Sequence, residues 1–170
     1  MITGEKTVIK GITKENSTDI YNWVNREELR NLTGTLYPVS EYEHEEWIKR
    51  QTTSSDRKLF VIYDKENDRP IGSIGLKNID TVSRNAELFI CIGDSGAPEG
   101  CGSDAVSAFV KYCFLHLNFH KIYLHVFESN PRAIRCYEKA GFKKEGELKE
   151  HHFQNGTYET VFVMGMVADA

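Results

Sequence analysis

At 170 residues with 40% apolar content the chain can bury one sizeable core, and no linker or repeat divides it, so residues 1–170 read as a single domain. A formal net charge of −4 argues against a phosphate-backbone binder, the start lacks an apolar leader segment, and no run reaches the ~20 apolar residues that span a bilayer. The expectation is a cytoplasmic protein with neither nucleic acid nor membrane as partner. Cys91, Cys101, Cys113 and Cys136 lack Cys-x-x-Cys spacing and mostly fall in apolar patterns, which argues against a disulfide framework.

Thr7 to Ile12 reads as a short strand, and the helix after it, near Glu15 to Asn25, places Ile20, Trp23 and Val24 on one face. Beyond a loop over Asn31 to Val39, Ser40 with Glu43 forms a capping box for a second helix carrying Trp47 and Ile48. Lys58 to Tyr63, Ile71 to Asn78 and Asn85 to Ile92 read as an antiparallel meander. A third helix begins near Ser103, where Ala105, Val106, Phe109, Val110, Cys113, Phe114 and Leu117 recur at helical period. Lys121 to Phe127 returns as a strand, so this stretch makes a βαβ unit with parallel strands. Asn130 as cap, Pro131 at the first position and Gly141 as stop bound a short helix, Pro131 to Ala140. Asn155-Gly156 then turns Glu145 to Phe153 back on Thr157 to Met166. The expected fold is α/β (α+β): a mixed, mostly antiparallel central sheet with a βαβ unit and flanking helices.

Between the third meander strand and its helix lies Gly93-Asp-Ser-Gly-Ala-Pro-Glu-Gly-Cys-Gly-Ser103. Gly100 and Gly102 let the backbone close on a ligand, and the helix start offers free amides and a positive dipole end, which suits phosphate. A plain Gly-rich connection stands equal to that reading on this segment alone. The spacing matches neither the dinucleotide fingerprint nor the nucleotide loop ending in Gly-Lys-Ser/Thr.

The order of these elements, with Asn130-Pro-Arg-Ala-Ile-Arg-Cys-Tyr-Glu-Lys-Ala-Gly-Phe142 and Glu145-Gly-Glu-Leu-Lys-Glu-His-His-Phe-Gln-Asn-Gly-Thr-Tyr158, resembles the GCN5-related N-acetyltransferases (the GNAT family) over nearly the whole chain. It most resembles the branch holding ribosomal-protein N-terminal and polyamine acetyltransferases. The resemblance implies an acetyl-CoA-dependent N-acetyltransferase that moves the acetyl group directly to a primary amine, either a protein N-terminus or a small amine such as a polyamine. It implies that Gly100, Cys101, Gly102 and Ser103 hold the pyrophosphate, that amides near Ile90, Cys91 and Ile92 meet the thioester, and that Asn130 and Ala133 belong to a second cofactor motif. One segment departs. Where the family has Arg or Gln, two residues, Gly, one residue, then Gly or Ala, this chain reads Ala97-Pro-Glu-Gly-Cys-Gly102. The basic or amide side chain is absent, Pro98 has no N–H, and Glu99 brings charge of the wrong sign, so a weaker grip on the cofactor is expected. The alternative is a non-catalytic acyl-CoA sensor or interaction module of the same fold.

By the same resemblance Tyr137 is the general acid for the coenzyme A thiolate; an ordinary core aromatic paired with Ala133 is the plainer reading. Glu87 is the candidate to take the amine proton and to hold a cationic amine, against a solvated strand residue. Trp23, Tyr37 and Trp47 are candidate walls of the acceptor cleft, although amphipathic helices also bury aromatics. Glu27, Glu28, Glu41, Glu43, Glu45 and Glu46 would suit a polyamine, but such runs are more often a solvated helix face. Cys101, at a helix start beside a thiol cofactor, is a candidate for a lowered pKa and a mixed disulfide with coenzyme A, against the plainer reading of a small filler residue. His116 with His120 and the pair His151-His152 lack a third ligand at metal spacing, so no metal is expected. An exposed last strand offers a route to a homodimer.

Overall fold

Residues Ile71–Leu76 are buried one after another, as a strand must be when both faces of its sheet are covered. They lie in a computed structural model that describes residues 1–169. Its elements are β1 (Ile2–Thr3), β2 (Thr7–Lys10), α1 (Lys14–Val24), α2 (Glu27–Thr33), α3 (Glu41–Thr53), β3 (Lys58–Asp64), β4 (Arg69–Asp80), β5 (Asn85–Ile92), α4 (Cys101–Leu115), β6 (Lys121–Phe127), α5 (Pro131–Ala140), β7 (Lys143–Gln154) and β8 (Thr157–Val167). The sheet runs β1-β2-β3-β4-β5-β6-β8-β7, and among the described residues only β5 beside β6 is parallel.

Strand alternation sorts the side chains between two clusters. Ile62, Ala86 and Leu88 join Val106, Phe109 and Val110 of α4 in the main core. Leu59, Val61, Phe89 and Cys91 point the other way, to Ile20 and Trp23 of α1, Leu29 of α2 and Trp47 of α3. The expected mixed sheet, meander, βαβ unit and closing hairpin are all present.

Local chemistry fixes the boundaries. Thr13 with Asn16 caps α1, and Ser40 with Glu43 caps α3, each as a reciprocal capping box. α5 runs from the Asn130 cap and Pro131 to Gly141 at φ 107°. Asn155 and Gly156 both take positive φ, 51° and 81°, as a tight hairpin with right-handed twist requires.

Four expectations are corrected. A short helix, α2, occupies part of the segment read as loop; its start has no side-chain cap, and Leu29 is its one buried residue, so it carries little periodic signal. The two-residue strand β1 precedes β2. α4 starts at Cys101 and stops at Leu115, leaving Leu117 outside it and 47% exposed. The last strand, β8, lies between β6 and β7, so β7 and not β8 is the edge at that end of the sheet.

α1 and α3 meet at His44, which is 7% exposed, donates from Nε2 to the Ser17 carbonyl at 2.9 Å, and lies 3.0 Å from the Ser17 hydroxyl. Burial pushes its imidazole below the usual 6.5. A depressed histidine binds its proton more readily once unfolded, so the stability it protects is intact above 6.5 and is lost as pH falls toward and through the lowered value. The urea midpoint should therefore fall as pH drops below about 6.5, and His44→Gln should flatten that dependence; an unchanged profile in the variant contradicts the assignment.

Candidate active site

β5 and β6 pair over three rungs only, Asn85 with Lys121, Ala86 with Ile122 and Glu87 with Tyr123. β5 then continues along β4 as far as Ile92, while β6 continues along β8 as far as Phe127. The two strands part, and each leaves backbone polar groups facing a gap. Alternation tells which. Gly93 donates its amide to Ile71 of β4 at 2.9 Å, so Cys91, two residues earlier, also points its amide toward β4, and the amides of Ile90 and Ile92 face the gap. Of the trio expected to present amides here, Ile90 and Ile92 do so and Cys91 does not.

The Gly-rich turn closes one end of this gap. Arg69 of β4 ties it down, donating to the Gly96 carbonyl at 2.7 Å and to the Asp94 carboxylate. Gly100 caps α4 at φ 84°, a left-handed conformation that favours glycine. Cys101 spends its amide on the Pro98 carbonyl at 3.3 Å, which leaves the amides of Gly102 and Ser103 as the first-turn donors. The expectation for the Cys101 thiol is overturned: the side chain is 1% exposed, and burial, with the Asp64 and Asp104 carboxylates, pushes its pKa up rather than down. Inaccessible and protonated, it is no partner for a mixed disulfide.

α5 lies against the turn, so that a side chain placed on Gly102 would meet Cys136 Sγ at 3.5 Å. Asn130 commits its side-chain oxygen to the Ala133 amide at 3.2 Å, leaving its amide nitrogen for any further partner. Tyr137 is 7% exposed within the main core, its ring edge-on to Phe142 at 6.0 Å. Burial, with the Cys136 and Cys91 thiols nearby, pushes its phenol well above the ordinary value, so it carries its proton at any physiological pH. Burial also lifts the Cys91 thiol to about 11 and the Cys136 thiol above its usual value, so neither cysteine beside the gap presents a thiolate.

Glu87 comes from the opposite face. It shares its side of β5 with Phe89 and Cys91 and is 6% exposed, so the solvated reading fails. Its carboxylate accepts from His125 Nδ1 at 2.7 Å and from Asn78 Nδ2 at 2.9 Å, and Lys77 Nζ lies 3.5 Å away. A carboxylate only accepts, so His125 holds its proton on Nδ1 and turns Nε2 outward. His125, Asn78 and Lys77 were not singled out in the sequence; the strand register brings them together, and no local motif marks them.

Asn25 clasps the α2 segment at its neck, donating to the Val39 carbonyl at 3.0 Å and accepting from the Val39 amide at 2.8 Å. Gly34, at the end of α2, faces Phe127 and His152, whose rings stack at 4.2 Å. The segment thereby reaches the ends of β6 and β7. Trp23 lies in the second core cluster against Gly93 and acts first as packing, whereas Tyr37 stands 76% exposed on the segment. Arg26 donates to the Gly93 carbonyl and pairs with Glu28 at 2.8 Å. Glu43 is used in the α3 cap; Glu27, Glu41, Glu45 and Glu46 are solvent-exposed. Among the described residues no three His, Cys, Asp or Glu side chains gather as metal ligands, and no helix is long and apolar enough to cross a membrane.

Comparison with known proteins gives this geometry a family. The spermidine N(1)-acetyltransferase of Vibrio cholerae is 36% identical over 119 residues, 70% of this chain and 68% of that protein. The enzyme of the same name from Escherichia coli K12 is 36% identical over 110 residues, 65% of this chain and 58% of its own. The crystal structure of the Vibrio cholerae spermidine N-acetyltransferase in complex with CoA and spermine superposes with a TM-score of 0.86 at 29% identity, covering 95% of each chain. Residues 7–143 match the acetyltransferase (GNAT) domain, and the chain belongs to that family as an N-acetyltransferase.

Proposed function

We propose that this protein transfers the acetyl group of acetyl-CoA to a primary amine of a polyamine, with the gap between β5 and β6 as the reaction site. The observation that carries the reading is a buried carboxylate, Glu87, on the β5 face turned to α1–α3 and a buried phenol, Tyr137, in the core on the opposite face, held protonated at neutral pH by its burial. The gap also fits the donor: its free amides offer partners to the pantetheine amides, and the α4 start offers donors to the pyrophosphate.

Each residue then has a task. The amide of Ile90 or Ile92 donates to the thioester oxygen and stabilises the oxyanion as the amine nitrogen bonds to the carbonyl carbon. Glu87 takes the proton from the amine, directly or through water, while the Nδ1–H of His125 holds its carboxylate in place. Tyr137 gives its proton to the departing sulfur as the carbon–sulfur bond breaks. The amine attacks the bound thioester directly, so the transfer needs no acetylated enzyme. The buried Glu87 carboxylate favours a cationic acceptor, in line with relatives named for spermidine.

Acetyl-CoA turnover, followed as free thiol, should appear with spermidine or spermine and be far slower with a peptide N-terminus; turnover with the peptide alone, or with neither, contradicts the proposal. Tyr137→Phe should lower kcat by on the order of 10²-fold with acetyl-CoA affinity unchanged. Glu87→Gln should lower it too, but with recovery as pH rises toward the amine pKa near ~10, because the base is needed only while the acceptor is protonated. Loss without recovery assigns Glu87 a different role.

A further inference from the structure

The missing positive charge at position 97 has a replacement from the other end of the sequence. Lys6, in the turn between β1 and β2, donates from Nζ to the Glu99 carbonyl at 3.1 Å and sits 3.0 Å from where a side chain on Gly100 would begin. Its placement is built. Asp104, in the first turn of α4, accepts from the backbone amides of Glu5, Lys6 and Thr7 at 2.9–3.0 Å and from the Thr7 hydroxyl at 2.7 Å. Gly4 makes this possible, because a side chain there would lie 2.3 Å from Asp104 Oδ2. The strap fixes the β1–β2 turn to the helix whose amides face the ligand.

Arg69 is committed to Asp94 and the Gly96 carbonyl, and Lys65 turns to the Gly4 carbonyl at 3.3 Å, whereas Lys6 reaches the Gly-rich turn itself. The Lys6 ammonium has three donors and uses one on Glu99. A cleft of about 500 Å³ opens beside Lys6 and Cys101, but Asp64 and Glu66 line it as well, so an anion is favoured at the α4 start rather than in the cleft.

We propose that Lys6, held in place by the Asp104 strap, contacts the pyrophosphate of acetyl-CoA and supplies through space the cation that the Ala97-Pro98-Glu99 segment lacks. The inference rests on the acetyl-CoA reading above. It makes the N-terminal turn part of the donor site.

Calorimetric titration separates the two. Lys6→Met should raise the acetyl-CoA Kd roughly tenfold, the scale of one charge-assisted hydrogen bond, and Lys6→Arg should restore most of it. The loss should persist with 3′-dephospho-CoA and vanish with acetyl-pantetheine, which has no pyrophosphate. Equal affinity of wild type and Lys6→Met for acetyl-CoA overturns the role of Lys6 and leaves the acetyl-CoA reading standing. A loss that vanishes with 3′-dephospho-CoA overturns the pyrophosphate assignment. Absence of acetyl-CoA binding to the folded wild type overturns the reading beneath both.

Discussion

The parting of β5 from β6 after Glu87 governs this structure. A sheet normally satisfies the backbone of both neighbours, and unpaired amides away from water are costly. Here β5 is kept in line by β4 and β6 by β8, so each strand is held firmly from one side while the other side stays open. Core is buried on both faces of β4, and the long β7–β8 hairpin backs β6 from the other side. The open amides of Ile90 and Ile92 line that gap, where the proposed function sets an extended, amide-bearing donor.

The two faces of the sheet divide the chemistry. The α4–α5 side brings the Gly-rich turn and the Tyr137 phenol, which are suited to the phosphates and the leaving sulfur. The α1–α3 side brings Glu87 with His125, Asn78 and Lys77, which are suited to an amine and its proton. On the proposed mechanism acid and base therefore come from opposite faces and need not compete for the same small volume.

Much of this was legible in the residues because the signals are local. The capping boxes at Thr13 and Ser40 speak within four residues, as do the Asn130-Pro131 start and Gly141 stop of α5 and the Asn155-Gly156 turn. Tyr137 was singled out through the motif around it. What was missed depends on long-range register. Glu87 owes its burial and its partners to strands 9 and 38 residues away, and Lys6 meets Glu99 across 93 residues. The α2 segment was read as loop because one buried Leu29 gives no period. Cys101 was misjudged because helix-start logic assumes an exposed thiol, whereas packing removes it from solvent and sets two carboxylates near it. The altered turn reads as a weakened anion site in one dimension, while in three dimensions a lysine stands over it.

Amide hydrogen exchange with and without acetyl-CoA tests the account most directly. The account predicts added protection concentrated at Phe89–Ile92 and Gly100–Ser103, with the β6–β8 and β7–β8 ladders unchanged. Protection confined to other elements, or none at saturating acetyl-CoA, would contradict the claim that the gap between β5 and β6 is the donor site.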